Sequence, residues 1–153
     1  MRAHHTFAAG LAALAMTFSL PATANAMSGA EKLRRLDIML MVTGLRCRTT
    51  ADNFQADYQR FTTRHIGELN MAARQLRADM ARRHGAAGAE RALDRLSVTM
   101  ANAYGQGHPW LGCHELKMVA RNLVDVQGTD TLEEVADRLL AETGSPQLAL
   151  ARR

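Results

Sequence analysis

The apolar positions of this chain recur every three or four residues over several long stretches, and this spacing predicts amphipathic helices. Ser28, with Glu31 three residues later, forms a capping box for the first helix. From Leu36 to Leu45 the apolar residues fall on nearly every face, which is typical of a helix buried on several sides. The same stretch also fits a buried strand.

A second stripe of apolar and aromatic residues runs through residues 51–84, again at helical spacing. Thr49 is the candidate cap at its start, and Gly85 is suited to its end because glycine readily adopts the left-handed conformation that closes helices. A helix of this length would measure about 50 Å at 1.5 Å per residue, which is long for so small a domain. Gly67 is therefore a candidate bend or break.

Three shorter helices complete the pattern. The third helix follows a small turn at residues 85–90 and ends near Tyr104. Pro109 suits the first position of the fourth helix. The last helix has Asp130 or Thr131 as its cap and stops at Gly144. No alternating run predicts a strand. The sequence thus predicts an all-α fold, a compact bundle of about five helices.

The N-terminus has the pattern of a secretory leader. Arg2 precedes an apolar run over residues 7–20, and the small residues Ala24 and Ala26 form the A-x-A pattern that signal peptidase recognises. The run is shorter than the ~20 residues of a spanning helix, which disfavours an uncut anchor. We expect residues 1–26 to be a cleaved signal peptide.

The remaining residues, 27–153, have the length of one domain, and we expect them to form a single helical domain in which 145–153 is a loose tail. The longest apolar run after the leader is Ile38–Val42, so no stable membrane span is expected after cleavage. The predicted location is the periplasm or the exterior.

Cys47 and Cys113 are the only cysteines. In an oxidising compartment two cysteines are expected to pair, and only one pairing exists. Closing so long a loop would stabilise the fold by ~4 kcal/mol in the chain-entropy model. The alternative is a reactive or metal-binding pair, which the absence of a C-x-x-C spacing disfavours.

Charge narrows the class of partner. The formal net charge is +4, with 19 basic and 15 acidic residues. This small excess of positive charge indicates a mild preference for anionic partners and is too small to indicate a nucleic-acid-binding protein. The densest basic stretch is Arg74, Arg77, Arg82 and Arg83. It is either a solvated face or a contact for lipopolysaccharide, phospholipid headgroups or an acidic protein.

The segment 104–115 concentrates unusual residues, including the only tryptophan. Tyr104, His108 and Trp110 are candidate ligand-binding residues, because the two aromatic rings offer flat surfaces and the imidazole can exchange a proton near neutral pH. The alternative is a tight turn in which Trp110 closes the core beside the disulfide.

If the chain is an enzyme, His108 or His114 with Glu115 is the candidate acid–base set. His65 interrupts the apolar stripe of the second helix and is a further ligand-binding candidate, although a histidine at such a position is usually hydrogen-bonded to backbone or to a neighbour.

No metal site or cofactor is predicted. The histidines do not share a helix face at i, i+4 spacing, and Cys113-His114 lacks the second cysteine of a haem-attachment motif because position 110 is tryptophan. The nucleophile elbow and the phosphate-binding glycine loops are also absent.

The stretches RLDIMLMVTGLRCRTTADNFQADYQRF and ANAYGQGHPWLGCHELK resemble small exported helical proteins of alphaproteobacteria whose function is unassigned. Some members of that group carry the label S-adenosylhomocysteine hydrolase. This sequence lends the label no support, because such a hydrolase needs a βαβ dinucleotide fold and a far longer chain. A similarity to helical, single-disulfide periplasmic chaperones of the acid-stress type is architectural only.

The leading functional hypothesis is a non-enzymatic exported module that binds a protein partner or an anionic envelope component. The alternatives are a small envelope enzyme using the segment 104–115 and a metal or small-ligand carrier.

Overall fold

The structure, a computed structural model, describes residues 27–140. The predicted signal peptide, the predicted stop at Gly144 and the predicted tail 145–153 lie outside the described residues. Within them the structure is all-helical, with no β-strand. The helices are α1 (Gly29–Cys47), α2 (Gln55–Arg64), α3 (Ile66–His84), α4 (Ala86–Ala103), α5 (Cys113–Leu123) and α6 (Thr129–Leu140).

Helix α1 is the central helix of the bundle. Its N-terminus is capped as predicted, because the Ser28 hydroxyl accepts a hydrogen bond from the backbone N–H of Glu31. Each of the other five helices packs against it, which explains why its second half is apolar on nearly all faces. Gly44 lets the ring of Phe54 approach closely, since a Cβ at that position would lie 3.4 Å from a ring carbon. The alternative of a buried strand is thus wrong.

The apolar stripe over residues 51–84 does not form one continuous helix, and this raises the number of helices from about five to six. The chain breaks at His65, which lies between α2 and α3 with φ −105° and ψ 21°. The buried imidazole Nε2 of His65 lies 2.7 Å from the carbonyl oxygen of Leu123, at the end of α5. This long-range hydrogen bond fixes the break two residues before Gly67, which lies inside α3.

Helix α2 begins later than predicted. Thr50, not Thr49, uses its hydroxyl in the turn after α1, where it accepts from the N–H of Asp52. The Asn53 side chain then accepts from the N–H of Gln55, the first helical residue. These local side-chain bonds to backbone compete with helix formation and so delay it.

Helices α3 and α4 are joined by Gly85 alone, at φ 71°. The glycine was predicted as the end of the helix, but the turn predicted over residues 85–90 is wrong, because α4 begins at Ala86. A one-residue connection places α3 and α4 side by side, and they share an extensive contact.

The predicted disulfide is present. Cys47, the last residue of α1, is bonded to Cys113, the first residue of α5, and their Cα atoms are 5.7 Å apart. The bond holds the end of the central helix against the segment 104–112, which precedes α5. An ion cluster also joins α2 to α5, because the buried carboxylate of Asp57 accepts from Arg121 and pairs with Arg60.

Candidate functional site

The segment before α5 is folded around His108. Helix α5 does not begin at Pro109, as the sequence predicted, but at Cys113. The reason is that the buried His108 Nδ1 faces the backbone N–H groups of Trp110 and Leu111 at 3.4 and 3.3 Å. An imidazole nitrogen that accepts from two successive amides fixes the chain in a non-helical turn.

The second nitrogen of His108 is also engaged. Nε2 lies 2.9 Å from the carbonyl oxygen of Leu139 in α6. A carbonyl can only accept and an amide can only donate, so the ring is neutral, with its proton on Nε2. Burial lowers the pKa of His108 from its usual 6.5, while the bond to Leu139 opposes this by raising it. His108 therefore orders the segment and is not placed to exchange protons with a substrate.

Three of the predicted ligand-binding residues lie together around this imidazole. The ring of Tyr104 stacks on that of His108 with centroids 6.0 Å apart, and Trp110 meets it edge-on at 4.5 Å. They line a recess of about 110 Å³ together with Arg35 of α1 and apolar atoms of α4 and α6. Trp110 is packed against the core and also lines this recess.

Sequence reasoning missed Arg35. Its guanidinium carbon lies 5.8 Å from the centroid of the Tyr104 ring, and one terminal nitrogen lies 3.6 Å from the sulfur of Met27. A signal was present in the sequence, because Arg34 and Arg35 are adjacent and successive helical residues point about 100° apart. The two side chains therefore line different cavities, Arg34 on one side of α1 and Arg35 on the other.

The remaining acid–base candidates lie elsewhere. His114 is exposed at the start of α5, where its Nδ1 is 3.3 Å from an Asp52 carboxylate oxygen, and the Lys117 ammonium lies 3.7 Å from the same oxygen. Glu115 accepts from the backbone N–H of Gly112 at 3.0 Å. Both nitrogens of His108 are committed to backbone groups, so these side chains do not form one reactive cluster.

His65 is separate from this segment. Its ring is 3% exposed and lies beside Phe61, with centroids 5.3 Å apart. The bond to Leu123 holds it between α3 and α5, and the geometry gives it a role in fold architecture. Within residues 27–140, no group of three His, Cys, Asp or Glu side chains is arranged to hold a metal ion, and no helix is long and apolar enough to cross a bilayer.

A second cavity lies where α1, α3 and α4 meet. This arginine groove has a volume of about 420 Å³ and is lined by Arg34, Asn70, Ala73, Leu76, Arg74, Arg77 and Leu93. Arg34 faces Asp37 at 3.5 Å, and Arg77 pairs with Glu90 of α4. Arg74 has no ion-pair partner in the described part of the chain. Only Arg74 and Arg77 belong to the predicted basic stretch, and Arg34 joins them through tertiary packing.

Residues 27–140 thus form an all-helical fold with one disulfide, and arginine side chains line both of the recesses described above. Searches against protein-family models, curated proteins and solved structures found no match.

Proposed function

We propose that this chain is an exported, non-enzymatic helical module that binds an anionic component of the cell envelope in the arginine groove. The observation that carries the proposal is that three arginine side chains, those of Arg34, Arg74 and Arg77, line one cavity. Guanidinium groups present paired N–H donors that match phosphate and carboxylate oxygens.

The charges around the groove favour an anion. Arg34 and Arg77 each face one carboxylate, but these ion pairs are partly exposed and therefore weak. A phosphate can compete for the same donors, and Arg74 contributes a positive charge that no acidic side chain among residues 27–140 offsets. The groove thus retains net positive charge in its own neighbourhood.

The floor of the groove favours an amphiphile. Ala73 is exposed and Leu93 is partly buried, so accessible apolar carbon lies beside the arginines in the lining of the groove. A phosphate joined to glycerol or acyl groups could contact both surfaces, whereas an acidic peptide would use only the charges. We therefore propose that the ligand of the groove is a phosphate-bearing envelope lipid and not an acidic protein.

The export step rests on the leader sequence and on the disulfide. A bond between Cys47 and Cys113 persists in an oxidising compartment and is rare in the cytosol. The A-x-A pattern before Met27 supplies the cleavage signal. Envelope lipids are accessible to a protein in that compartment.

The test is co-sedimentation of the full mature chain with phosphatidylglycerol vesicles and with phosphatidylcholine vesicles. We expect binding to the anionic vesicles only, weakened by salt because the charges are exposed. Arg74→Gln should raise the dissociation constant about tenfold, the effect of losing ~1.4 kcal/mol, which is near the strength of one charge-assisted hydrogen bond. Arg95→Gln on α4, outside the groove, is the matched control.

Equal binding by the Arg74→Gln and Arg95→Gln variants would refute the groove as the site. Soluble polyglutamate distinguishes the two kinds of partner: if it binds more tightly than the lipid and in the same groove, the ligand is an acidic polypeptide and the lipid proposal fails.

A further inference from the structure

We propose that the recess formed by Arg35, Tyr104, His108 and Trp110 is a binding site for a small carboxylate. This site is separate from the arginine groove and does not depend on the function proposed for it. The geometry that carries the inference is one half-buried guanidinium set against a wall of aromatic rings.

No carboxylate among residues 27–140 compensates the charge of Arg35. Within that range no acidic side chain lines the recess, and Arg35 forms no ion pair. Its Nε is shielded from solvent yet makes no hydrogen bond, and the sulfur of Met27 is a weak acceptor. A buried donor that has lost its water and gained no partner is costly, and a ligand oxygen placed here would remove that cost.

The donors and walls fit a carboxylate better than a phosphate. Among the described residues that line the recess, Arg35 is the only cation, because His108 is held neutral with both ring nitrogens bonded to backbone groups. One planar guanidinium matches the two oxygens of one carboxylate. The rings of Tyr104 and Trp110, with Leu139 beside them, offer apolar surface to the rest of the ligand.

The volume of the recess indicates how many ligand atoms it can surround. A recess of about 110 Å³ holds about four water molecules at about 30 Å³ each. This is enough for a carboxylate bearing two or three carbon atoms. We therefore expect short-chain carboxylates such as propionate and butyrate to be the ligand class.

Two sources could supply the carboxylate group. One is a dissolved small molecule. The other is the chain itself, because Leu140 lines the recess and Glu142, which lies outside the described residues, follows two positions later in the sequence. The chemistry at Arg35 is the same in both cases, and a Glu142→Gln variant separates them.

The experiment uses the fluorescence of Trp110, the only tryptophan in the chain and a wall of the recess. The full mature protein is titrated with sodium butyrate at constant ionic strength, and with butyramide as the neutral control of the same shape. We expect a saturable change with butyrate, with a dissociation constant of roughly millimolar order for so few atoms, and none with butyramide.

The variants locate the site. Arg35→Gln should weaken butyrate binding by about tenfold or more, whereas Arg91→Gln, an exposed arginine on α4, should leave it unchanged. Arg35→Lys keeps the charge but loses the paired donors, so it should bind with intermediate affinity. Circular dichroism establishes that each variant is folded.

Binding of wild type and Glu142→Gln with equal affinity identifies a dissolved ligand. Much tighter binding by Glu142→Gln identifies the chain's own carboxylate as a competitor for the same site. The proposal is overturned if butyrate produces no saturable change in either protein, if butyramide binds equally well, or if folded Arg35→Gln binds as wild type does.

Discussion

His108 and Arg35 show how single residues gain their roles from neighbours that are distant in sequence. His108 was a candidate for proton exchange, but two amide donors and the Leu139 carbonyl occupy its ring nitrogens. Arg35 became part of a recess because α1 passes beside Tyr104. Residue type alone indicated that His108 could act, and its hydrogen-bond partners decided how, whereas the position of Arg35 came only from the packing of α1.

The lowered pKa of His108 predicts a pH dependence of stability. The unfolded chain binds a proton at His108 near pH 6.5, whereas burial holds the pKa of the folded state below that value. The unfolded state therefore binds more protons just below pH 6.5, and the free energy of unfolding is highest above pH 6.5 and declines as the pH falls. One group contributes a slope of at most about 1.4 kcal/mol per pH unit.

Urea unfolding at a series of pH values from 7.5 to 5.0 measures this slope. His108→Gln should be less stable than wild type at pH 7.5, by ~2 kcal/mol, because buried backbone groups lose partners. The free energy of unfolding of this variant should also fall less steeply with decreasing pH below 6.5. If wild type and variant lose stability in parallel, the assignment to His108 is wrong.

At the scale of elements, the break between α2 and α3 depends on His65. The periodicity of the stripe runs straight through this position, so the sequence left the continuity of residues 51–84 open and offered only Gly67 as a candidate break. At the C-terminus of α5, where a helix leaves carbonyls without intrahelical partners, the Leu123 carbonyl accepts from His65 and from the backbone N–H of Val126. One side chain thus ends one helix and caps another.

His65→Leu tests this arrangement. The substitution removes the His65 donor from the buried Leu123 carbonyl, and we expect the free energy of unfolding to fall by ~1–3 kcal/mol. Thr63→Ala, an exposed change one position before the end of α2, should stay within about 0.5 kcal/mol of wild type. Chemical denaturation measures both, and a His65→Leu variant as stable as wild type would show that packing alone sets the break.

At the scale of the whole molecule, the disulfide links the central helix to the segment that forms the recess. The two cysteines are 66 positions apart in sequence, so the bond restricts the unfolded chain strongly. Removing it with Cys47→Ser and Cys113→Ser together should lower the free energy of unfolding by ~4 kcal/mol in the chain-entropy model. That is a large share of the ~5–15 kcal/mol typical of a domain.

Thermal unfolding of the oxidised protein and the double variant provides the measurement. Mass spectrometry of the purified protein without reductant should show no free thiol. Two free thiols in exported, folded protein would contradict both the disulfide and the oxidising location on which the proposed function rests.

The sequence by itself determined the features that depend on near neighbours in the chain. The helical spacing predicted the all-α class, the Ser28 cap and Gly85 marked two helix ends correctly, and the count of two cysteines left a single pairing. The helix signals involve residues that are close together in the chain, and the disulfide pairing follows from the number of cysteines. Neither depends on which distant residues come into contact when the chain folds.

The tertiary structure decided what depends on distant backbone groups. The carbonyls of Leu123 and Leu139 hold His65 and His108, and these two contacts move a helix break and keep the chain non-helical from Pro109 to Gly112. The position of Arg35 beside Tyr104, and of Arg34 beside Arg74, follows from how α1 packs. Periodicity shows which residues share a face of a helix, but it contains no information about which backbone carbonyl or ring will lie opposite that face.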